Sequence, residues 1–255
     1  MSTPSVAELR AVVHPPGLLD RRSGEHWAGR LYMRRISLHV TRVFLRLGWS
    51  PNQVTWLMIV TGVLAGPALL VPGLAGAVLG ALLIQLYLLL DCSDGEVARW
   101  TGRTSITGVY LDRVGHYLAE ASLLVGVGFR AADVVPNGWA VLGLVAALGA
   151  ILIKAETDLV DVARVRAGLT AATESSTEPR STRVGQMRRV ASALRFHRIL
   201  GAVEASLLVL LAAVVDAVAG GLTATRVLVV ALAVVAGLQL VLHLASILLS
   251  RRLAA

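Results

Sequence analysis

The chain has 255 residues, 56% of them hydrophobic, and a formal net charge of +8. With a mean hydropathy of +0.71, this composition excludes an ordinary soluble domain. The apolar residues form blocks of about 20, the length that an α-helix needs to cross a hydrocarbon core about 30 Å thick. We therefore predict an all-α integral membrane protein.

The N-terminal region is predicted to lie outside the membrane core. Residues 1–23 are expected to be loose and solvated, whereas residues 24–48 place apolar side chains at helical spacing between arginines. This pattern is typical of an amphipathic helix in the membrane interface, with Trp27 and Trp49 as anchors. A solvated helix flanking the first span fits the pattern equally. We expect a cytoplasmic segment over 1–49 and a membrane domain over 50–255.

Six membrane-spanning helices are predicted in that domain, at about residues 52–71, 74–91, 107–130, 138–160, 199–219 and 224–249. The first begins at Ser50-Pro51, because proline at the first turn of a helix sacrifices no hydrogen bond. The second is expected to continue as helix beyond the membrane edge, as far as Arg99. The polar loop 161–198 is the largest segment between spans.

Basic residues are unevenly distributed between alternating loops. The N-terminal segment, the link between the second and third spans, residues 154–198 and the tail carry 22 Arg and Lys residues, whereas Arg130 and Arg226 lie on the opposite side. Because cytoplasmic loops carry the basic excess, both termini and the link are predicted to be cytoplasmic. The skew favours anionic lipids and phosphate ligands and argues against a nucleic-acid partner.

One segment, 91–116, combines acidic and small residues at fixed spacing. Asp91 and Asp94 are three residues apart at the end of the second span, and Gly108, Asp112 and His116 are four apart in the third. Offsets of three and four place side chains on one face of a helix. The two faces can converge across the eight-residue link. Carboxylates at the end of an apolar span are costly to desolvate and indicate a functional site.

This pattern resembles the signature of the CDP-alcohol phosphotransferases. The chain departs from the signature at its last position, where His116 replaces a fourth aspartate. The segment SPNQVT, residues 50–55, also resembles the family's entry to the first span, and the resemblance extends over about residues 50–170. The positions that match the signature are Asp91, Asp94, Gly95, Ala98, Arg99, Gly108 and Asp112.

The resemblance implies transfer of a phosphoalcohol group from a CDP-alcohol to a hydroxyl, with release of CMP, in phospholipid biosynthesis. We expect CDP-diacylglycerol as the donor and a small polar alcohol, such as inositol phosphate or glycerol phosphate, as the acceptor. One alternative is a soluble CDP-alcohol donor with a lipid acceptor. Another is a catalytically silent membrane protein that binds nucleotide or metal.

Two divalent cations, Mg²⁺ or Mn²⁺, are expected at the site, because carboxylates suit these ions and two of them can hold the attacking and leaving oxygens. By resemblance, Asp91 and Asp112 would bridge the two ions and Asp94 would bind one. In the family, the residues matching Asp94, Gly95, Ala98 and Gly108 surround the cytidine, and Arg99 would pair with the pyrophosphate. Asn52 either contacts the nucleotide or caps its helix.

The fourth position is occupied by His116, which by resemblance would complete the second metal site and act as general base. A neutral imidazole can bind a metal or accept a proton, although it favours softer metals than Mg²⁺. Functional replacement, altered metal or substrate preference, and loss of activity all remain open. Glu120, one turn further along the same face, either supports the imidazole or contacts a neighbouring helix.

Basic residues on both sides of the polar loop are candidates for binding the acceptor. The segment VARVRAG, residues 162–168, resembles the part of the family that meets a phosphorylated acceptor, and Arg can form paired hydrogen bonds with phosphate oxygens. Anchoring at the membrane edge is the alternative for each arginine. A bacterial plasma membrane and a homodimer complete the expectations. The candidate acceptor-binding residues are Arg164, Arg166, Arg195 and Arg198.

Overall fold

The computed structural model describes residues 4–15, 27–170, 200–250 and 253. The regular structure in these ranges is helical, which confirms the all-α prediction, and a π-helical turn, Gly29–Met33, precedes the second α-helix. The α-helices of the described ranges are α1 (Val6–Val13), α2 (Arg34–Arg46), α3 (Pro51–Ala68), α4 (Gly73–Thr101), α5 (Ile106–Ala131), α6 (Gly138–Arg166), α7 (Ala202–Ala219) and α8 (Thr223–Leu248).

Helices α3 to α8 lie where the six spans are predicted, within a few residues at most boundaries. Within the described ranges, α4, α6, α7 and α8 are long and apolar enough to cross a membrane. The polar first turn of α3, with Asn52 and Gln53, lowers its apolar content. Asp112, His116 and Glu120 do the same in α5. Four candidate spans are therefore identified, and six spans stay a prediction.

Helix α4 extends well beyond the length of a simple span. Its 29 residues reach Thr101 and, at 1.5 Å per residue, measure about 44 Å. This confirms that the helix continues through Asp94 to Arg99. Gly102 ends it in the left-handed conformation, with φ 65°. Three residues later the Ser105 side chain caps α5 by accepting a hydrogen bond from the Gly108 N–H, so a short link, residues 102–105, joins the two helices.

Small residues allow α3 and α5 to approach each other closely. A Cβ built on Gly66 would lie 2.1 Å from the Ser122 carbonyl oxygen, so no larger residue fits there. The Ser122 hydroxyl also donates a hydrogen bond of 2.6 Å to the Val63 carbonyl. Small residues at such crossings bring helix backbones together, as is common in membrane proteins. The crossing fixes α5 relative to α3, and the N-terminal ends of both helices line the cavity described below.

The prediction that residues 1–23 are loose is wrong for Val6–Val13, which form α1. Ser5 and Glu8 make a capping box, in which each side chain accepts a hydrogen bond from the other residue's backbone N–H. These bonds hold the pKa of the Glu8 carboxyl below its ordinary value. Leu9 and Val13 are fully buried. An eight-residue helix is marginal alone, so its contacts with the rest of the chain stabilise it.

A buried carboxylate joins this N-terminal region to α4. The side chain of Glu96 is 0% exposed. It accepts hydrogen bonds from His14 Nε2 at 2.9 Å, Ser37 Oγ at 2.5 Å and Thr41 Oγ1 at 2.8 Å. A buried charge is tolerated when it is paired and hydrogen-bonded. Glu96 therefore ties the end of α1 and one face of α2 to the C-terminal end of α4.

Candidate functional site

A cavity of about 320 Å³ opens between the first turn of α3, the last turns of α4 and the start of α5. Seven residues predicted for the metal or nucleotide site line it, and the segment between α4 and α5 closes one side. The lining residues are Pro51, Asn52, Thr55, Asp91, Asp94, Gly95, Ala98, Arg103, Thr104, Ser105, Gly108, Val109 and Asp112.

The convergence of α4 and α5 brings together a group that could hold a metal ion. Asp91, Asp112 and His116 each offer one ligand atom, and the three atoms lie within 4.8 Å of one another. His116 Nε2 lies 3.5 Å from Asp91 Oδ1, and His116 Nδ1 lies 3.5 Å from Asp112 Oδ1. Two ligand bonds of about 2.1 Å can join atoms up to about 4.2 Å apart. The separation of Asp91 Oδ1 and His116 Nε2 is within this limit, and Asp112 offers a third ligand atom within 4.8 Å of the others, so a small adjustment would let one divalent cation bind all three.

Asp94 lies at the buried side of the cavity. It is 8% exposed and accepts a hydrogen bond of 2.7 Å from Thr55 Oγ1. Thr55 therefore holds the carboxylate at the edge of the three-residue group. Sequence reasoning did not assign Thr55 a role, although it is the last residue of the SPNQVT segment that resembles the family.

The small residues of the signature line the cavity, and Gly108 allows two helices to approach each other closely. A Cβ built on Gly108 would lie 3.1 Å from Asn52 Oδ1 and 3.2 Å from Ser105 Oγ, so glycine allows α5 to approach the start of α3. Asn52 thus lies opposite Gly108 at the cavity. The first backbone N–H groups of α5 are at the same edge, and a helix N-terminus favours a phosphate group.

Two arginines near the end of α4 differ in position. Arg99, predicted to pair with pyrophosphate, donates from Nε to the Val13 carbonyl of the N-terminal region at 3.0 Å. It is absent from the described residues that line the cavity, whereas Arg103 is among them. The signature suggested Arg99 because of its spacing. The guanidinium of Arg99 also lies beside Gly95 at the cavity, because a Cβ built on Gly95 would be 3.2 Å from Arg99 Nη1. The predicted contact of Arg99 with pyrophosphate therefore stays a prediction.

The candidate acceptor-binding residues are incompletely described. Arg164 Nε donates to the Thr170 carbonyl at 2.8 Å, near the end of α6. Arg166 is exposed at the last residue of the same helix. Arg195 and Arg198 lie outside the described residues. Their predicted roles therefore stay predictions.

A polar strip between α5 and α6 adjoins His116 and was not predicted as a unit. Lys154 Nζ lies 2.9 Å from Glu120 Oε1, so Glu120 contacts a neighbouring helix, one of the two alternatives left open by the sequence. One turn away, Asp158 accepts a hydrogen bond from the Tyr117 hydroxyl and lies 3.7 Å from the Arg113 guanidinium. These partners are 34 to 45 residues apart in the chain, so no local spacing indicates them.

Comparison with known proteins supports the resemblance carried by these residues. No protein-family model matches the chain. It is 39% identical over 98 residues to archaetidylinositol phosphate synthase of Aeropyrum pernix, and 32% identical over 97 residues to phosphatidylinositol phosphate synthase of Streptomyces avermitilis. These matches cover 37% and 38% of this chain and only 49% and 39% of the relatives' own lengths.

The fold is shared with a solved enzyme. The crystal structure of Mycobacterium tuberculosis phosphatidylinositol phosphate synthase with CDP-DAG bound superposes with a TM-score of 0.57, over 85% of this chain and 95% of that chain, at 20% identity. The signature residues, these relatives and the shared fold all resemble the class of the CDP-alcohol phosphotransferases. The resemblance predicted from the motif is thereby confirmed, and within that class the similar proteins are inositol phosphate lipid synthases.

Proposed function

We propose that the protein transfers the phosphatidyl group of CDP-diacylglycerol to a hydroxyl of an inositol phosphate and releases CMP. The observation that carries the proposal is the convergence of the signature residues of α4 and α5 on one cavity at the end of apolar helices. The relatives' names, archaetidylinositol phosphate synthase and phosphatidylinositol phosphate synthase, support an inositol phosphate acceptor over glycerol phosphate.

Divalent cations held by Asp91, Asp112 and His116, with Asp94 beside them, would neutralise the pyrophosphate and lower the pKa of the acceptor hydroxyl. We infer two such ions, with Mg²⁺ and Mn²⁺ as the candidates. The protein's own part is to fix these ligands at the meeting point of two rigid helices. Thr55 contributes by holding the Asp94 carboxylate in one orientation.

The rest of the cavity suits a nucleotide diphosphate. Asn52 and Gly108 leave a narrow space between α3 and α5, which would accept the flat cytosine ring. Arg103 and the N-terminus of α5 lie on the same cavity and supply positive charge for the pyrophosphate. We assign the pyrophosphate contact to Arg103 in this arrangement, because Arg103 lines the cavity, whereas Arg99 does not and its Nε is bonded to the Val13 carbonyl.

We further propose six spans in a bacterial plasma membrane, with both termini and the cavity on the cytoplasmic side. The distribution of basic residues supports this orientation. Large apolar side chains exposed along the outer helices support contact with lipid, among them Leu148 at 57%, Leu238 at 59% and Val241 at 66%. On α2, exposed Val43 at 50% and nearby Leu47 at 62% support a position in the interface.

Release of CMP by purified protein tests the proposal. We expect CMP to form from CDP-diacylglycerol when inositol phosphate is added, and much less with glycerol phosphate, free inositol or no acceptor. CMP formed only from a soluble CDP-alcohol with a lipid acceptor would replace the assigned substrates. If no pair of substrates yields CMP while labelled CDP-alcohol still binds, the protein is catalytically silent.

A further inference from the structure

The imidazole of His116 is held in one tautomer by the backbone of its own helix. Its Nδ1 lies 2.9 Å from the carbonyl oxygen of Asp112, one turn earlier in α5. A carbonyl oxygen can only accept a hydrogen bond, so Nδ1 must carry the proton and donate it. When the imidazole is neutral, Nε2 therefore has no proton and presents a lone pair.

That lone pair faces a carboxylate. His116 Nε2 lies 3.5 Å from Asp91 Oδ1, which belongs to α4. A cation between these two atoms, or a second proton on the ring, would bind both. The distance also exceeds that of an ordinary nitrogen–oxygen hydrogen bond. A cation bound by both atoms, with Asp112 as a third ligand, accounts for the arrangement.

The orientation of the ring is supported from a second side. The ring of Tyr87 on α4 meets the His116 ring edge to face, with centroids 5.8 Å apart and an interplanar angle of 73°. Tyr87 is only 4% exposed, so its position is fixed by packing. A metal-binding histidine typically donates its other ring N–H to a carbonyl or carboxylate, which sets its tautomer and orientation. His116 has this pattern.

We propose that His116 is a metal ligand through Nε2 and that the ion it shares with Asp91 and Asp112 is a first-row transition metal, selected over Mg²⁺. Imidazole is a poor ligand for Mg²⁺, which prefers oxygen, and a much better one for borderline ions. The histidine that departs from the family signature thus sets the metal preference of this chain. The inference deepens the proposed function and rests on the divalent cations that it requires.

Mn²⁺ is the probe for the test, because its electron spin reports bound nitrogen directly. Electron spin echo envelope modulation of the full-length protein with substoichiometric Mn²⁺ and no nucleotide should show coupling to an imidazole ¹⁴N. The coupling should disappear in His116→Asp and persist in His39→Gln, a matched control at an exposed histidine of α2. Absence of the coupling in the wild-type protein, whose folding is not in question, would overturn the proposal in favour of an imidazolium–Asp91 ion pair.

Competition between ions tests the selectivity. We expect His116→Asp to lower the ratio of Mg²⁺ to Mn²⁺ dissociation constants by about tenfold or more, because the new ligand is a carboxylate oxygen. An unchanged ratio contradicts the inference. Neither measurement depends on turnover. Nitrogen coupling without CMP release would overturn the proposed function and leave this inference standing. CMP release without nitrogen coupling would overturn this inference and leave the proposed function standing.

Discussion

Two faces of the C-terminal end of α4 carry carboxylates only two residues apart, and the two behave differently. Glu96 is fully buried and accepts hydrogen bonds from His14, Ser37 and Thr41. On the other face, Asp94 lines the cavity and the nearby Asp91 side chain is 25% exposed. One face is saturated by protein donors, and the other opens to a space large enough for a ligand.

The difference teaches how acidic residues at a membrane edge can be separated into structural and functional groups. A carboxylate whose oxygens are occupied by three side-chain donors stabilises the fold and has little capacity left for a ligand. Carboxylates that converge from two helices at an open cavity repel each other until a cation binds. Amide substitutions at the cavity face should therefore lower mainly activity, and the amide substitution at Glu96 should lower mainly stability.

The largest effect is expected from Asp91→Asn and Asp112→Asn. Each should lower turnover by about 10³-fold or more, because an amide is a weak ligand for a hard cation and that cation stabilises the negative charge of the transition state. Initial rates of CMP release measure the effect. Asp133→Asn, on the segment between α5 and α6, is a matched control and should retain turnover near the wild-type level. An active Asp91→Asn enzyme would remove this face from catalysis.

His116→Ala is expected to lower turnover by about 10²-fold, the scale of a lost ligand or general base. His116→Asp, which restores the family signature, should keep measurable activity with Mg²⁺ because its carboxylate can bind that ion. Steady-state rates with Mg²⁺ and Mn²⁺ distinguish these cases. Should His116→Ala match the wild-type protein with both ions, the fourth position takes no part in the reaction.

Substitutions of Arg103 and Arg99 should have different effects on the KM for the CDP-alcohol. Arg103→Ala is expected to raise the KM for the CDP-alcohol by about tenfold, because it removes a charge-assisted contact with the pyrophosphate. Arg99→Ala should change this KM less and should lower thermal stability, since it loses its bond to the Val13 carbonyl. A larger KM effect for Arg99 would restore the assignment made from the signature.

The smallest effect on activity is expected at Glu96. Glu96→Gln should lower the free energy of unfolding by about 1–3 kcal/mol, because buried donors at Ser37, Thr41 and His14 lose part of their acceptor. Turnover per folded molecule should change little. Asp94→Asn is the matched comparison and should lose nearly all turnover with a smaller change in unfolding temperature. Thermal unfolding in detergent, beside CMP release, would show whether the two amides behave alike.

The sequence predicted most of the helices because each has a local cause. Apolar blocks of membrane length set their extent, and Ser50, Pro51 and Gly102 mark where helices begin or end. The signature spacing likewise predicted which carboxylates converge, because three- and four-residue offsets determine a helix face. The four-residue spacing of Asp112 and His116 is sufficient to predict that they share a face of α5.

What the sequence did not reveal depends on contacts between distant segments. The short α1 was missed because its stability comes from burial of Leu9 and Val13, although Ser5 and Glu8 form a recognisable cap. The direction of Arg99 and the burial of Glu96 follow from where α1 and α2 pack. The pairing of Glu120 with Lys154 depends on which face of α6 meets α5.

Metal dependence of CMP release is the most direct test of the central claim, that Asp91, Asp112 and His116 form the metal-dependent centre of a phosphotransferase. Protein stripped of metal and assayed with CDP-diacylglycerol, inositol phosphate and excess chelator should release no CMP. Added Mn²⁺ should restore acceptor-dependent release in the wild-type protein and in Glu96→Gln, and fail to restore it in Asp91→Asn. Turnover by the wild-type protein in excess chelator would contradict the account.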